Sequence, residues 1–575
     1  MRTVLKDELS AWPVYHTDRC IYIHTTQLLN LTLSHITNHN SECTHLRTYV
    51  HLAITVTRMA MPSNIAQSLP DSPAGDLRPA ALLSKMASRG RRPSPLVTSA
   101  VPTDEAPANM TPGSVVGDME RGTLAEKTGR SDGQLTSRWR ELHGSNDWQG
   151  LLDPIDTVLR GELIRYGEFA QACYDSFDYD RFSRYSGSCK YPTRTFFEDV
   201  GLAGVGYEVT RYLYATSHPS YPNFSIWKHN PGDDKLWSES ATFIGFVAVS
   251  TDEETARIGR RDIAVAWRGT VTRLEWVADL TAMLKPLSAC GVPCPDPSVK
   301  VETGFVDLYV GKDSACRFSS YSAREQVLAE VRKLVERYAG RGEEVSVTVT
   351  GHSLGSALAM ISAFDIAESG ANVSPSAGGK KAPVCVFSFA GPRVGNTRFK
   401  KRFEGELGVK TLRIRNVHDM VPKVPGFLFN EAIFPAVLLR VADMLRVPSV
   451  YTHVGVELAL DHIVSPFLKP TGDLASYHNL EAHLHLLDGY RAHGQPFELG
   501  GRDPALVNKA TDFLRDEHMV PPGWRQEENK GMVRTEDGRW ALLQLPRDVE
   551  AHPVPDDIDD HLAALGVLVL KKDGA

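Results

Sequence analysis

Cysteine is scarce in this chain, which has eight cysteines among its 575 residues. That density is far below what a small secreted domain held by disulfides shows, so a disulfide scaffold is excluded. Cys290 and Cys294 form the one close pair. They either close a redox clip or, as we expect, stay two free thiols in a loop. No cysteine and histidine spacing typical of a metal site accompanies them, and the sequence predicts neither a metal nor a cofactor.

An excess of positive charge is also missing. The chain has 63 Lys and Arg residues against 70 Asp and Glu residues, which gives a formal net charge of -7. Nucleic-acid binding depends on clustered basic surface, so a nucleic acid is excluded as an obligatory partner. Contact with a lipid surface is compatible with this charge, because it depends on local apolar exposure.

Long apolar runs are absent as well. No uninterrupted stretch approaches the ~20 residues that span a bilayer. The first residues include Lys6, Asp7 and Glu8, and no apolar core follows them as a secretory signal requires. We therefore expect a protein without a transmembrane segment, either soluble or bound to membranes at their surface.

Composition divides the chain into three parts: residues 1–135 as a disordered N-terminal extension, 136–525 as a folded domain, and 526–575 as a C-terminal extension. Residues 77–103 contain no acidic residue but five Lys and Arg residues among Ser, Ala and Pro. This composition is typical of an organelle transit segment, and a disordered basic linker is the alternative.

Segments with strand and helix character alternate through the folded part. The apolar runs predict strands, and the 3.6-residue periodicity predicts helices. A further helix is predicted to begin at Asp153-Pro154, with Asp153 as its N-cap. Alternation at these lengths predicts an α/β fold with a mostly parallel, doubly wound sheet. The predicted strands are 242–249, 263–267, 345–350, 384–389 and 412–415, and the predicted helices include 322–338, 356–368, 398–407 and 480–490.

A G-x-S-x-G motif occupies residues 351–355, between strand 345–350 and helix 356–368. Gly351 and Gly355 remove the β-carbons that would clash where strand and helix approach each other. Ser353 is then held in a strained, exposed turn, and the helix N-terminus supplies positive potential for an oxyanion. The motif predicts a nucleophilic serine, and an ordinary glycine-flanked turn is the alternative.

A nucleophilic serine needs a histidine to take its proton and a carboxylate to fix the tautomer of that histidine. In serine hydrolases built on such sheets, the carboxylate and then the histidine follow the serine along the chain. Asp419 lies just after strand 412–415, where a catalytic carboxylate or a turn aspartate is expected. Position favours His478, on a loop, but leaves five histidines open: His453, His462, His478, His483 and His485.

His352 adjoins Ser353 in the motif. A turn of this kind points successive side chains apart, so His352 is expected to line the substrate pocket rather than to act as the base.

Further segments of residues 148–540 share a pattern with one family: WQGLLDPIDTVLR, YDSFDYD, VAWRGT, EWVADL, GHSLGSALA, FAGPRVGN, NVHDMVPKVPG, YTHVGVEL, HNLEAHLHLLDGY and NKGMVRTEDGRW. These segments resemble those of the class 3 (fungal-type) lipases. They are more closely similar to the plant class I phospholipases A1, plastid acyl hydrolases related to the lipases of the jasmonate pathway. The resemblance implies an α/β-hydrolase fold with a lid segment.

Carried over by position, the resemblance implies that Ser353 is the nucleophile, Asp419 the acid and His478 the base. It implies an oxyanion hole made by Thr270 and the backbone N–H of Leu354, although a strand-end cap would also explain Thr270 by itself.

Residues 274–280 match the lid of the family, with Trp276 as a lid aromatic. A core tryptophan is the alternative for Trp276. A lid suits a lipid substrate, because it covers an apolar groove in water and exposes it at an interface.

The resemblance further implies hydrolysis of the sn-1 acyl ester of glycerolipids through an acyl-enzyme, without a cofactor. Phosphatidylcholine and galactolipids at the membrane surface are the expected partners, with triacylglycerol as a further substrate. The expected location is the chloroplast, in the stroma or at a plastid membrane, with the cytoplasm as the alternative. Two rival functions are an esterase for soluble esters and a catalytically silent, lipase-like signalling protein.

Overall fold

The structure is a computed structural model that describes residues 132–179, 183, 185–216, 240–270, 284–425, 451–524, 532–534 and 540–542. The predicted transit segment, the predicted lid 274–280 with Trp276, and most of the predicted C-terminal extension lie outside these residues. The predictions made for them stay predictions.

The strands of the described residues are numbered in chain order. They are β1 Tyr207–Thr216, β2 Ala241–Ser250, β3 Arg261–Trp267, β4 Leu284–Pro286, β5 Lys300–Glu302, β6 Val345–His352, β7 Val373–Ser374, β8 Lys380–Lys381, β9 Val384–Phe389, β10 Lys410–Asn416, β11 Val456–Leu460, β12 Met532–Arg534 and β13 Trp540–Leu542.

Seven of these strands form the main sheet, in the order β1-β2-β3-β6-β9-β10-β11. The pairs β1–β2 and β2–β3 are antiparallel, and every pair from β3 to β11 is parallel. The predicted mostly parallel sheet is therefore confirmed. Because the carboxyl ends of parallel strands share one edge, the segments that follow β3, β6, β10 and β11 meet there.

The helices are α1 Asp132–Leu142, α2 Thr157–Asp175, α3 Phe196–Asp199, α4 Asp252–Ile258, α5 Thr303–Val310, α6 Ala323–Ala339, α7 Leu354–Glu368, α8 Thr397–Lys400, α9 Leu474–Tyr477 and α10 Leu480–Gly489. Short 3-10 segments cover Leu287–Cys290, Val421–Lys423, His462–Val464, Pro504–Lys509 and Asp516–His518.

Helices cover both faces of the sheet. Ile263, Val265 and Trp267 of β3 belong to one buried cluster, together with residues of α5, α6 and α7. The intervening Ala264 and Ala266 belong to a second cluster with residues of α2 and α10. Successive strand residues point to opposite faces, so the two clusters are the two layers of a doubly wound core.

The predicted N-cap Asp153 is wrong. Helix α2 begins at Thr157, and the carboxylate of Asp156 accepts the backbone N–H groups of Val158 and Leu159 at 2.9 and 3.0 Å. Asp153 instead accepts the backbone N–H of His493 at 2.8 Å. This long-range contact cannot be read from local sequence.

The sequence pattern also misses strand β1. Its buried Arg211 is paired with Glu330 of α6 at 3.0 Å, and two register shifts interrupt its pairing with β2. A buried charge breaks the apolar alternation that marks a strand. The predicted helix 398–407 is α-helical over Thr397–Lys400 only and continues as a π-helical turn over Lys401–Glu406.

The cysteines Cys290 and Cys294 are both free thiols, as expected. Among the described residues, no helix combines the length and the apolar character that crossing a membrane requires.

Candidate active site

Ser353 stands at the sharp turn between β6 and α7, where the residue is only 2% exposed, so the predicted exposure is wrong. Its backbone has φ 60° and ψ -125°, a conformation that L-residues adopt at a cost of ~1–3 kcal/mol. A β-carbon on Gly351 would lie 2.3 Å from the Gly355 carbonyl oxygen, and one on Gly355 would lie 2.3 Å from the Trp267 carbonyl oxygen. The predicted need for glycine at both positions is therefore confirmed.

Hydrogen bonds hold this turn against the neighbouring strand β9. The backbone N–H of Ser353 donates to the Phe389 carbonyl at 3.0 Å. The Ser356 hydroxyl donates to the Gly351 carbonyl at 2.6 Å and lies 3.0 Å from the Phe389 carbonyl. The turn is therefore held by backbone and Ser356 contacts, and the Ser353 side chain is not used for its support.

Asp419 follows β10 and is fully buried. One carboxylate oxygen, Oδ1, accepts the backbone N–H of Val421 at 2.9 Å, and the other, Oδ2, lies 2.7 Å from Nδ1 of His478. A carboxylate can only accept, so Nδ1 of His478 carries a proton, and in the neutral ring Nε2 carries the lone pair. The bond therefore fixes the histidine tautomer that can take a proton from a serine.

Nε2 of His478 is buried and has no hydrogen-bond partner within the described part of the chain. His478 ends helix α9, and its ring lies 4.6 Å, centroid to centroid, from that of His352, the residue before Ser353. A buried basic nitrogen without a partner costs free energy unless a reactant uses it. The structure thus brings a base with a free lone pair beside the serine turn.

The other four histidines have different partners. Nε2 of His453 donates to the Pro422 carbonyl at 2.7 Å, and Nε2 of His462 donates to the Pro470 carbonyl at 3.2 Å. Nε2 of His485 lies 2.8 Å from the Ser465 hydroxyl. His483 comes nearest to the acid, with Nε2 3.9 Å from Oδ2 of Asp419, but this is beyond hydrogen-bond length.

His483 connects the two segments that present Asp419 and His478. Its Nδ1 donates to the Asn479 carbonyl at 2.8 Å, and its Nε2 accepts the backbone N–H of Asn416 at 3.1 Å. Burial lowers the pKa of His483, which keeps the ring neutral and this tautomer in place. Position inside a predicted helix could not distinguish this role from simple packing.

His352 connects the serine turn to the histidine segment. Its Nε2 donates to the backbone carbonyl of His478 at 2.8 Å, so its Nδ1 accepts the Tyr174 hydroxyl at 2.8 Å. Burial, and then the neighbouring rings of His478 and His483, lower the pKa of His352 well below its usual value. Both ring nitrogens are therefore engaged with protein groups, while the predicted contact of His352 with substrate stays a prediction.

Thr270 lies three residues beyond the end of β3, and β3 pairs with β6 so that Trp267 lies opposite Gly351. Within the described residues, its hydroxyl is buried without a hydrogen-bond partner. Leu354 is the first residue of α7, a position whose N–H has no acceptor inside the helix. Two donors thus stand at the carboxyl edge of the sheet, where Ser353 lies.

Comparison with known proteins gives the following matches. The model of the family described as lipase (class 3) matches residues 264–429. The chain is 58% identical to "Phospholipase A1-Igamma1, chloroplastic" of Arabidopsis thaliana, over 76% of this chain and 84% of that protein. It is 44% identical to "Phospholipase A1-II 6" of Oryza sativa subsp. japonica, over 72% of this chain and 96% of that protein.

Solved structures give a weaker likeness. "LIPASE II FROM RHIZOPUS NIVEUS" is 21% identical, with a TM-score of 0.30, over 48% of this chain and 78% of that one.

Proposed function

The chain belongs to the class 3 lipase family and, within it, to the plant phospholipases A1, and from this premise we propose that Ser353, Asp419 and His478 form a catalytic triad that cleaves the sn-1 acyl ester of glycerolipids. The protein is an enzyme, a carboxylic ester hydrolase that acts on lipids.

The predicted chloroplast location is confirmed by the names of three relatives from Arabidopsis thaliana, which are 53–58% identical and are each described as chloroplastic.

In the proposed first half-reaction, Nε2 of His478 takes the proton of the Ser353 hydroxyl while the Ser353 oxygen attacks the acyl carbonyl carbon. The negative charge of the tetrahedral intermediate is stabilised by the Thr270 hydroxyl and the Leu354 N–H. Asp419 stabilises the imidazolium that forms on His478. The intermediate collapses when His478 protonates the departing glycerol oxygen, which leaves a lysolipid and an acyl-enzyme on Ser353.

In the second half-reaction, water takes the place of the glycerol oxygen. Nε2 of His478 removes a proton from the water as the water attacks the acyl-serine carbonyl. The same two donors stabilise the second oxyanion. His478 then returns the proton to the Ser353 oxygen, and a free fatty acid leaves. No cofactor enters either half-reaction.

One observation carries this proposal above the others: the buried, unpartnered Nε2 of His478. Its tautomer is fixed by the 2.7 Å bond from Nδ1 to Asp419. His352 and His483 have both ring nitrogens engaged by protein groups. His485 also has an unpartnered Nδ1, but its Nε2 partner is the Ser465 hydroxyl rather than a carboxylate. Ser353 Oγ and Nε2 of His478 are not hydrogen-bonded to each other in this structure, so the proposal requires them to come together when substrate binds.

The proposed substrates are phosphatidylcholine and galactolipids presented at a membrane surface, with triacylglycerol as a further substrate. Support for the phospholipid comes from the relatives, which are named phospholipase A1. The serine chemistry itself is indifferent to the head group, because each of these lipids presents the same type of ester carbonyl.

The test uses the full chain with phosphatidylcholine, monogalactosyldiacylglycerol and triacylglycerol that carry different labelled acyl chains at sn-1 and sn-2. We expect labelled fatty acid to be released mainly from sn-1 of the first two lipids. The control is a soluble short-chain ester assayed below its solubility limit. Release mainly from sn-2 contradicts the sn-1 proposal, and hydrolysis of the soluble ester alone favours the rival esterase.

Tyr174 extends the proposed machinery by one hydrogen bond. It lies near the end of α2, and its hydroxyl donates to Nδ1 of His352 while it accepts a backbone hydrogen bond from Gly269. Burial raises the pKa of Tyr174, so the hydroxyl keeps its proton. A chain of hydrogen bonds therefore runs from the segment before Thr270, through Tyr174 and His352, to the backbone of His478.

We expect Tyr174→Phe to lower kcat about tenfold while KM changes by less than about twofold, because small displacements of catalytic groups act on the transition state. The matched control is Tyr212→Phe on β1, which also removes a buried hydroxyl, bonded to the Tyr191 carbonyl at 2.7 Å. We expect both variants to be less stable than the wild type, but only Tyr174→Phe to have a lower kcat. Equal kcat values for the two variants would contradict the positioning role of Tyr174.

A further inference from the structure

Three side chains with metal-binding atoms lie close together next to Asp419, on the segments that follow β10 and β11. His418 precedes Asp419, and Asp461 and His462 come directly after β11. The two strands pair in parallel with Asn416 opposite Leu460, so their carboxyl ends lie side by side. Residues far apart in sequence are thereby brought together, which no spacing rule for metal ligands detects.

The distances between the ligand atoms suit a small divalent ion. Nε2 of His418 lies 3.3 Å from Oδ1 of Asp461, and Nδ1 of His462 lies 4.0 Å from the same oxygen. The three ligand atoms all lie within 4.8 Å of one another. In a tetrahedral zinc site with bonds of ~2.0–2.1 Å, ligand atoms are about 3.3 Å apart. His418 and Asp461 already have this spacing, and small rotations of these two exposed side chains would shorten their distances to Nδ1 of His462.

His462 supplies a second, independent observation. Its side chain is 1% exposed, and Nε2 donates to the Pro470 carbonyl at 3.2 Å. Because a carbonyl can only accept, the neutral ring carries its proton on Nε2 and a lone pair on Nδ1. Nδ1 is buried without a hydrogen-bond partner within the described residues. A buried lone pair that faces a carboxylate oxygen is unfavourable unless a cation lies between them.

The surroundings hold these ligands as metal sites usually do. The bond from His462 to Pro470 is the backbone carbonyl contact that orients metal-binding histidines. The His462 ring packs against Tyr477 and Phe513, with centroids 4.9 and 5.2 Å away. Oδ1 of Asp461 also accepts the backbone N–H of Ile463 at 3.0 Å. The buried ligand is thus fixed before an ion arrives.

The other two ligands are open to solvent. The side chains of His418 and Asp461 are 39% and 42% exposed. An ion can reach the site without unfolding, and water can fill the fourth position. Two imidazoles with one carboxylate suit Zn²⁺ and its neighbours Co²⁺ and Ni²⁺ better than Ca²⁺ or Mg²⁺, which prefer oxygen ligands.

We propose that Nε2 of His418, the carboxylate of Asp461 and Nδ1 of His462 bind one Zn²⁺-type ion on the surface behind the acid of the triad. The ion joins the segment after β10, which presents Asp419, to the segment after β11. It is a structural clamp on the acid segment and takes no part in the acyl transfer.

The test is equilibrium dialysis of the chelator-stripped full chain against buffered Zn²⁺, with bound zinc measured by mass spectrometry. The chain has 20 histidines, so the readout is the difference between variants. We expect His418→Gln and His462→Gln each to lose one zinc equivalent, or to bind it at least about tenfold more weakly. The control His493→Gln, at an exposed histidine, retains that equivalent.

Cobalt gives a second readout. We expect a visible absorption band of tetrahedral Co²⁺ in the wild type and in His493→Gln, and none in His418→Gln. His418→Gln is the decisive variant, because its exposed side chain can change without disturbing the core. Asp461→Asn is a third ligand variant, which retains an acceptor for the Ile463 N–H, and we expect it also to bind zinc more weakly. Equal zinc content and affinity in the wild type and His418→Gln would overturn the proposal, as would equal loss in His493→Gln.

Discussion

Replacement of Ser353 by alanine is expected to lower kcat for glycerolipid hydrolysis on the order of 10⁶-fold, the size of effect seen when a triad serine is removed. The loss is this large because the acyl-enzyme route needs an oxygen nucleophile at this point of the turn. The two oxyanion donors and His478 cannot supply one.

The fold of Ser353→Ala is expected to be unchanged. Its backbone N–H still donates to Phe389, and the bonds that hold the turn come from Ser356 and the backbone. Alanine meets the same backbone strain at φ 60° as serine does. The side-chain hydroxyl is therefore removed without removing a support of the turn.

The measurement is release of labelled fatty acid, together with thermal unfolding and labelling by a fluorophosphonate. We expect the wild type to be labelled on the peptide that contains Ser353, and Ser353→Ala to be neither labelled nor active. Ser369→Ala at the other end of α7, where the hydroxyl donates only to the Asp365 carbonyl at 2.6 Å, is the control. Undiminished hydrolysis by Ser353→Ala would show that the nucleophile lies elsewhere.

Local features of this molecule follow from sequence. The strand and helix around Ser353 are predictable because a β-branched run, two glycines and an apolar helix are adjacent in the chain. The position of Asp419 is predictable because carboxyl ends of parallel strands share an edge. The helix α6 is also found at its predicted place, and Ser322 and Glu325 cap it reciprocally.

Long-range features do not follow from sequence. His483 and His485 look alike in the chain, and only the partners of each ring nitrogen separate their roles. Position on a loop favoured His478 but left five histidines open as the base, and the family resemblance then selected His478 among them. The group of His418, Asp461 and His462 depends on the pairing of β10 with β11, which is set by the whole sheet.

Replacement of Asp419 by asparagine is expected to lower kcat about 10⁴-fold while the fold persists, the effect of an acid-to-amide change in a serine triad. Oδ1 of Asp419 accepts the backbone N–H of Val421, so the amide must place its oxygen there. Its NH₂ group then faces Nδ1 of His478, in place of the 2.7 Å carboxylate contact. The histidine is forced to carry its proton on Nε2, where it cannot accept one from Ser353.

The loss of the carboxylate charge is a second reason for a lower kcat in Asp419→Asn. The imidazolium that forms in the transition state would face a neutral amide in a buried site rather than a carboxylate. His483, whose Nε2 is 3.9 Å from Oδ2 of Asp419, cannot substitute for the lost negative charge, because an imidazole is neutral or cationic. The effect therefore falls on kcat, and the rate of fluorophosphonate labelling should fall in parallel.

The same substitution at Asp503 is the control for the Asp419→Asn change. Asp503 caps the segment Pro504–Lys509 by accepting the Ala505 N–H at 2.9 Å, and asparagine caps equally well. We expect Asp503→Asn to retain wild-type kcat and labelling rate. If Asp419→Asn stays within tenfold of the wild type in both measurements, Asp419 is not the acid of the triad, because neither the tautomer nor the charge argument allows so small a loss.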